Sequence, residues 1–124
     1  MSSHSRVSSI KHAQKESQIM QKLAQLLVQL GQDEPTLQDL YVTRVKLSPD
    51  KSNCTVFVHC PNGMEQYEQK RPTLVLYKPS LRSALAKLIY GRYVPKIRFE
   101  YDAQLDKQRQ LDDLIEDLKK EGKL

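Results

Sequence analysis

The sequence predicts an α+β fold, a two-layer sandwich in which helices cover one face of a three-stranded sheet. Three observations carry this. Apolar residues recur at helical spacing over one long stretch, then alternate at strand spacing in two runs around a short turn. A second helical region, interrupted by prolines, follows, and a third alternating run comes after it. At 124 residues the chain is the size of one domain that can bury its own core.

The first helix spans Val7 to Leu30. Ile19, Leu23, Leu26, Leu27 and Leu30 form one apolar stripe, glutamines mark the opposite side, and Gly31 is expected to stop the helix in a left-handed conformation. After a loop around Pro35, Leu40 to Leu47 alternates. Tyr41, Thr43, Val45 and Leu47 are expected to point inward, with Val42, Arg44 and Lys46 outward. Ser48-Pro49-Asp50 is a turn, because proline presets the second turn position and serine suits the first. Cys54 to Cys60 is the second strand of the hairpin, with Cys54, Val56, Val58 and Cys60 on one face and Thr55, Phe57 and His59 on the other.

Pro61-Asn62-Gly63 ends that strand. Pro72 suits the first turn of a helix, so a short helix is expected from about Arg71 to Tyr77. Pro79 disfavours the helical conformation at Lys78, where the chain should bend. A further helix then runs from Ser80 to Tyr90, burying Leu81, Ala84, Leu85 and Leu88, and Gly91 stops it. Lys96 to Tyr101 alternates, with Ile97, Phe99 and Tyr101 inward. Asp102 is placed to cap a last helix, whose narrow stripe is Leu111, Leu114, Ile115 and Leu118. The organisation expected is a domain over residues 1–103 and an acidic helical tail over 104–124.

Composition and spacing exclude several function classes. No apolar run nears the roughly 18 residues of a membrane span, and two cysteines make no disulfide framework. Cys54 and Cys60 are roughly 20 Å apart along one strand, beyond disulfide or metal reach. The four glycines are single, so no loop cradles a phosphate, and His4, His12 and His59 are scattered. An acylphosphatase-like hydrolase would need a glycine-containing anion loop and a nearby asparagine; Asn53 and Asn62 are the only asparagines and no such loop exists. The expectation is a protein that is not an enzyme, with no cofactor and no metal.

Charge points elsewhere. The chain carries 20 basic and 15 acidic residues, net +5, and residues 65–100 alone hold eight cations against three acids. Clustered cations on a small domain fit a polyanion, and RNA above all where an aromatic such as Phe57 lies nearby to stack on a base. Two basic surfaces compete. One is the edge along the broken helices, with Lys78, Arg82, Lys87 and Arg92; the other is the outer sheet face, with Arg44, Lys46, Lys96 and Arg98. The edge is favoured because its cations come from a short run and need no strand register to gather. The last helix, following the third strand directly, is also expected to fold back over Lys96 and Arg98.

Two strand motifs carry a resemblance. Val42-Thr43-Arg44-Val45-Lys46-Leu47-Ser48-Pro49-Asp50 and Arg92-Tyr93-Val94-Pro95-Lys96-Ile97-Arg98-Phe99-Glu100-Tyr101-Asp102 resemble the bacterial ribosome-binding factor A family in residue type and spacing. Leu81-Arg82 followed by Leu85, and Arg6-Val7 leading into the long helix, fit it as well. The resemblance covers about residues 6–118. It implies a type II KH-like fold, helix-strand-strand-helix-kink-helix-strand, and places RNA beside the paired helices. It implies a cytoplasmic, monomeric factor that binds the free small (30S) subunit late in assembly. That factor acts on 16S rRNA, favours processing of its 5′ end, supports growth in the cold, and catalyses nothing itself. The family's Ala-x-Gly kink is replaced here by Tyr77-Lys78-Pro79. The alternative is a generic KH-type protein acting on other transcripts, which would be expected to carry a Gly-x-x-Gly loop; this chain has none.

Overall fold

The computed structural model describes residues 2–89 and 94–122. Its elements are α1 (Ser2–Asp33), a 3-10 turn (Pro35–Leu37), β1 (Tyr41–Leu47), β2 (Asn53–His59), α2 (Gly63–Leu76), α3 (Lys78–Leu88), β3 (Lys96–Tyr101) and α4 (Ala103–Lys120). The sheet order is β1-β2-β3, antiparallel between β1 and β2 and parallel between β2 and β3. A parallel pair needs a crossover, and α2 and α3 supply it. Ile19, Leu23 and Leu27 of α1, Leu74 of α2, and Leu81 and Leu85 of α3 form one buried cluster with Leu47, Cys54, Val56, Val58, Ile97 and Phe99 of the sheet. Three helices therefore cover one sheet face, as the apolar patterns require.

Several elements differ from the sequence expectation, each for a local reason. Helix α1 passes through Gly31 and ends at Asp33. Gly31 is no left-handed stop. It is buried under the 3-10 turn, where a Cβ would lie 3.2 Å from the Gln38 Cα, so glycine permits the close approach of two backbones. Helix α2 starts eight residues earlier than expected, at Gly63, whose φ of +82° turns the chain out of β2. Pro72 then sits inside the helix, where it forgoes one backbone hydrogen bond without ending it. The bend falls at Tyr77, not Lys78. Lys78 is already the first residue of α3, and Pro79 occupies the first turn, where its missing N–H costs nothing. Helix α3 ends at Leu88, before the expected Tyr90; Gly91, read as the stop, and Arg92 lie outside the described residues.

Strand β1 does not alternate strictly. Val42 pairs with Val58 and Arg44 with Phe57, so Thr43 is an extra residue, a β-bulge. The bulge resets the face. Val42, Val45 and Leu47 pack on the core, while Tyr41 is 39% exposed and the outward set is Tyr41, Arg44 and Lys46. The far end of β1 is clamped to α1, where Glu16 accepts the Leu47 N–H at 2.7 Å and His12 Nε2 donates to the Leu47 carbonyl at 3.0 Å. These bonds satisfy the backbone of an edge strand that has no fourth strand beside it. Cys54 and Cys60 are buried and free, as expected of core residues, and burial pushes the Cys54 thiol up to about 12.

Helix α3 offers a test of packing. Leu85 is fully buried, but Leu88, expected in the same stripe, is 42% exposed, and Ile89 takes its place in the core. Leu85→Ala should therefore destabilise by about 2–5 kcal/mol. Leu88→Ala should change stability by no more than about 0.5 kcal/mol. Urea melts of both variants check this; similar losses would mean that α3 is rotated from the orientation described.

Candidate nucleic-acid interface

A groove runs between α2 and β3. Along α2, Met64, Arg71 and Val75 fall at helical spacing on one face, and Lys78 follows at the bend. Phe99 of β3 with Met64, Pro72 and Val75 gives the groove an apolar lining, and Arg71, Lys78 and Arg98 bring positive charge to it. Glu68 and Glu100 are there too, and Glu100 Oε1 lies 3.2 Å from Arg98. The strand side adds backbone groups. Lys96 N–H bonds to the Ser52 carbonyl and Asp102 N–H to the Val58 carbonyl. By strand alternation, the N–H and C=O groups of Ile97, Phe99 and Tyr101 face away from β2, at the open edge of the sheet. Apolar lining, cations and backbone donors and acceptors turned away from β2 together suit an unpaired nucleotide, which needs a surface for its base, charge for its phosphate and partners for its base edge.

The structure regroups the cations singled out in the sequence. Lys78 and Arg98, assigned to competing surfaces, line the same groove. Arg82 is on α3, where it donates to the Val94 carbonyl at 2.9 Å and lines a shallower depression with Pro79, Ser83 and Ala86. Lys87 faces the concavity between α3 and α1, with Gln25 and Gln29. Arg92 lies outside the described residues. Lys46 is exposed on the outer sheet face. Arg44 is engaged within the fold: its guanidinium stacks 3.8 Å from the Phe57 ring centroid and lies 3.4 Å from Asp102. Phe57 is thus covered by an arginine and is half-buried, which removes it as an open stacking platform. Arg71 is a groove residue beyond those singled out in the sequence. The available signal is its place in the same basic run as Lys78; its seating in the groove depends on where β3 lies, which that run does not encode.

The last helix closes the far end of the sheet, not the end carrying Lys96 and Arg98. Both of those side chains are exposed. Asp102 caps α4 by accepting the Leu105 N–H at 3.2 Å, and it also takes the Thr43 hydroxyl at 2.6 Å. One turn on, Asp106 meets His59, which is 1% exposed. Asp106 Oδ1 lies 2.7 Å from His59 Nε2, the Tyr41 hydroxyl lies 2.9 Å from Nδ1, and the Tyr101 hydroxyl donates to Asp106 Oδ2. A carboxylate only accepts, so Nε2 carries a proton and donates it to Asp106. The sequence placed His59 correctly on the outward face of β2 but gave no sign of the helix turn that buries it.

These contacts set acid sensitivity. Burial pushes the Asp102 carboxyl up, but the Thr43 and Leu105 hydrogen bonds and the Arg44 charge outweigh it and hold it below 3.8. The His59 and Tyr101 hydrogen bonds hold Asp106 below 3.8 as well. A carboxyl lowered on folding stabilises the fold above its unfolded value, and that contribution is lost as pH falls through the folded value. In thermal melts from about pH 7 to about pH 2, the protein should lose stability below about pH 4. Asp102→Asn combined with Asp106→Asn should be less stable at neutral pH and lose less on acidification. Equal acid sensitivity of the two proteins would show that these carboxylates do not hold α4.

Comparison with known proteins agrees with this architecture. The family model for ribosome-binding factor A matches residues 11–115. A ribosome-binding factor A of Syntrophomonas wolfei is 30% identical over 108 residues, covering 86% of this chain and 88% of the relative. One from Rhodopseudomonas palustris is 30% identical over 95 residues, covering 75% of this chain and 69% of the relative. The crystal structure of ribosome-binding factor A from Thermus thermophilus superposes with a TM-score of 0.64 at 29% identity, over 73% of this chain and 93% of that one. The helix-strand-strand-helix-bend-helix-strand order is the KH-like arrangement of those structures, and the chain belongs to the ribosome-binding factor A family.

Proposed function

We propose that this protein is a ribosome assembly factor that binds the free 30S subunit and assists late maturation of 16S rRNA, including processing of its 5′ end, with its importance greatest in the cold. Family membership supports the ribosomal reading. The observation that carries the RNA contact is the α2–β3 groove, where Arg71, Lys78 and Arg98 meet an apolar lining and the open edge of β3. The bend beside it is built differently from a glycine kink. Tyr77 makes the turn, with its N–H on the Leu74 carbonyl, and its hydroxyl donates to Glu34 at 3.2 Å, tying the bend to the end of α1. Lys78 is thereby held at the groove's end, supplying charge where a glycine would supply only close approach.

On this reading the protein acts by holding rRNA and not by reacting with it. A bound single-stranded segment is withdrawn from competing pairings, which matters most in the cold, where mispaired RNA escapes slowly. Arg82 and Lys87 extend the positive surface along α3, and Lys46 and Lys96 on the outer sheet face contribute less.

Two measurements test the contact. In filter binding to purified 30S subunits, Arg71→Glu combined with Lys78→Glu should weaken affinity about tenfold or more. Lys46→Glu combined with Lys96→Glu should weaken it less, and both doubles should melt close to the parent because all four side chains lie outside the core. A greater loss from the outer-face double would move the contact to the sheet. With Arg71, Lys78, Arg82, Lys87 and Arg98 on phosphates, log K against log salt should fall with a slope of about −3.5 to −4.5. A slope near zero would remove the cations from the interface.

A further inference from the structure

Helix α4 leaves the domain with an apolar stripe uncovered. Its start is tied down by the Asp102 cap and by the Asp106 contacts with His59 and Tyr101. Residues 107–117 are all exposed, and no residue of the helix is buried. Leu111 is 50%, Leu114 56% and Ile115 37% exposed. Eighteen helical residues make a rod of about 27 Å, so these side chains stand well beyond the sheet. At about 100° per residue, Asp112 and Asp117 lie about 60° outside the two edges of the stripe, and Asp113 and Glu116 lie behind it. The segment 111–118 holds four acids and no base.

Three occupants are opposed by this arrangement. The chain's own core is out of reach, because one residue, Asp102, joins β3 to α4 and is itself bound to Thr43 and Arg44. RNA is repelled by the acids and gains nothing from aliphatic side chains. A second copy is opposed by charge. The antiparallel alignment that pairs Leu111 with Leu118 and Leu114 with Ile115 sets Asp112 level with Asp117, Asp113 level with Glu116 and Arg109 level with Lys120. A parallel alignment sets every acid level with its own copy.

We propose that α4 docks a basic, apolar-faced protein segment of the ribosomal particle, its leucine stripe packing on that segment's apolar side and Asp112 and Asp117 pairing with flanking cations. This rests on the ribosomal reading above. It divides the labour of the molecule: the basic groove takes RNA, and the acidic arm takes protein.

The sign of one effect separates the partners. The full-length chain is titrated against purified 30S subunits and, separately, against 16S rRNA freed of protein, with circular dichroism to check helix content. Leu111→Ser with Leu114→Ser should weaken subunit binding about tenfold and leave binding to free rRNA unchanged. The neutralised variant, D112N/D113N/E116Q/D117N, should also bind subunits more weakly, although it carries less negative charge toward RNA. Tighter subunit binding by that variant would overturn the proposal in favour of an RNA contact. Subunit affinities equal to the parent for both variants would overturn it outright. A dimer of the parent that the leucine variant loses, seen by sedimentation equilibrium, would make a second copy the occupant. If the parent itself fails to bind subunits, the ribosomal reading falls and takes this proposal with it; if the parent binds and the variants are unaffected, only this proposal falls.

Discussion

The parallel pairing of β2 with β3 is the constraint on which the rest of the molecule depends. Two parallel neighbours cannot be joined by a turn, so the chain must leave the sheet, cross one face and return. Helices α2 and α3 are that crossing, and the bend at Tyr77 reverses the path so that it fits over a sheet of three strands. The same pairing leaves β3 at an edge with half of its backbone groups unpaired by β2. The groove is the space between that edge and the outgoing helix. It is thus a product of topology, and the sequence has only to furnish it with charge and an apolar lining.

The second organising feature lies where β3 runs into α4. Thr43 forms the bulge, and its hydroxyl donates to Asp102. Arg44, next in the chain, sits between Phe57 and the same carboxylate. The bulge thereby places two consecutive β1 side chains where the β3–α4 junction needs them. Asp102 serves at once as helix cap, hydrogen-bond acceptor and ion-pair partner. With Asp106 seated on His59, it aims α4 away from the domain. The strand motif through Arg44 is thus a device for positioning the last helix, which explains an arginine on the outer face without requiring it to touch RNA.

How much of this was legible in the sequence depends on the range of the forces involved. Element order, hairpin, crossover and the inward faces of β2 and β3 all follow from periodicity, which is local. The bulge is not local: Tyr41, Thr43, Val45 and Leu47 alternate perfectly on paper, and only pairing against Val58 and Phe57 shows that Thr43 is supernumerary. Gly31 misleads for a similar reason, since its small size serves a packing contact with Gln38 and not a helix stop. Pro72 suggests a helix start because proline is costly inside one, yet Tyr67 and Leu74 are both buried, and that packing carries the helix across it. For the interface, the sequence pattern assigns Lys78 and Arg98 to rival surfaces, and the structure brings them to one groove. Their meeting depends on where β3 lies relative to α2, which no local pattern encodes.

The central claim is that the groove between α2 and β3 faces the ribosomal particle. Hydrogen–deuterium exchange of the protein, free and bound to purified 30S subunits, tests it most directly, because the amides of Ile97, Phe99 and Tyr101 point away from β2, toward the edge beside the groove. The account predicts slower exchange on binding across β3 and the second half of α2, with the β1–β2 turn unchanged. Slowing confined to β1 and its turn, with the β3 edge exchanging as in the free protein, would contradict it.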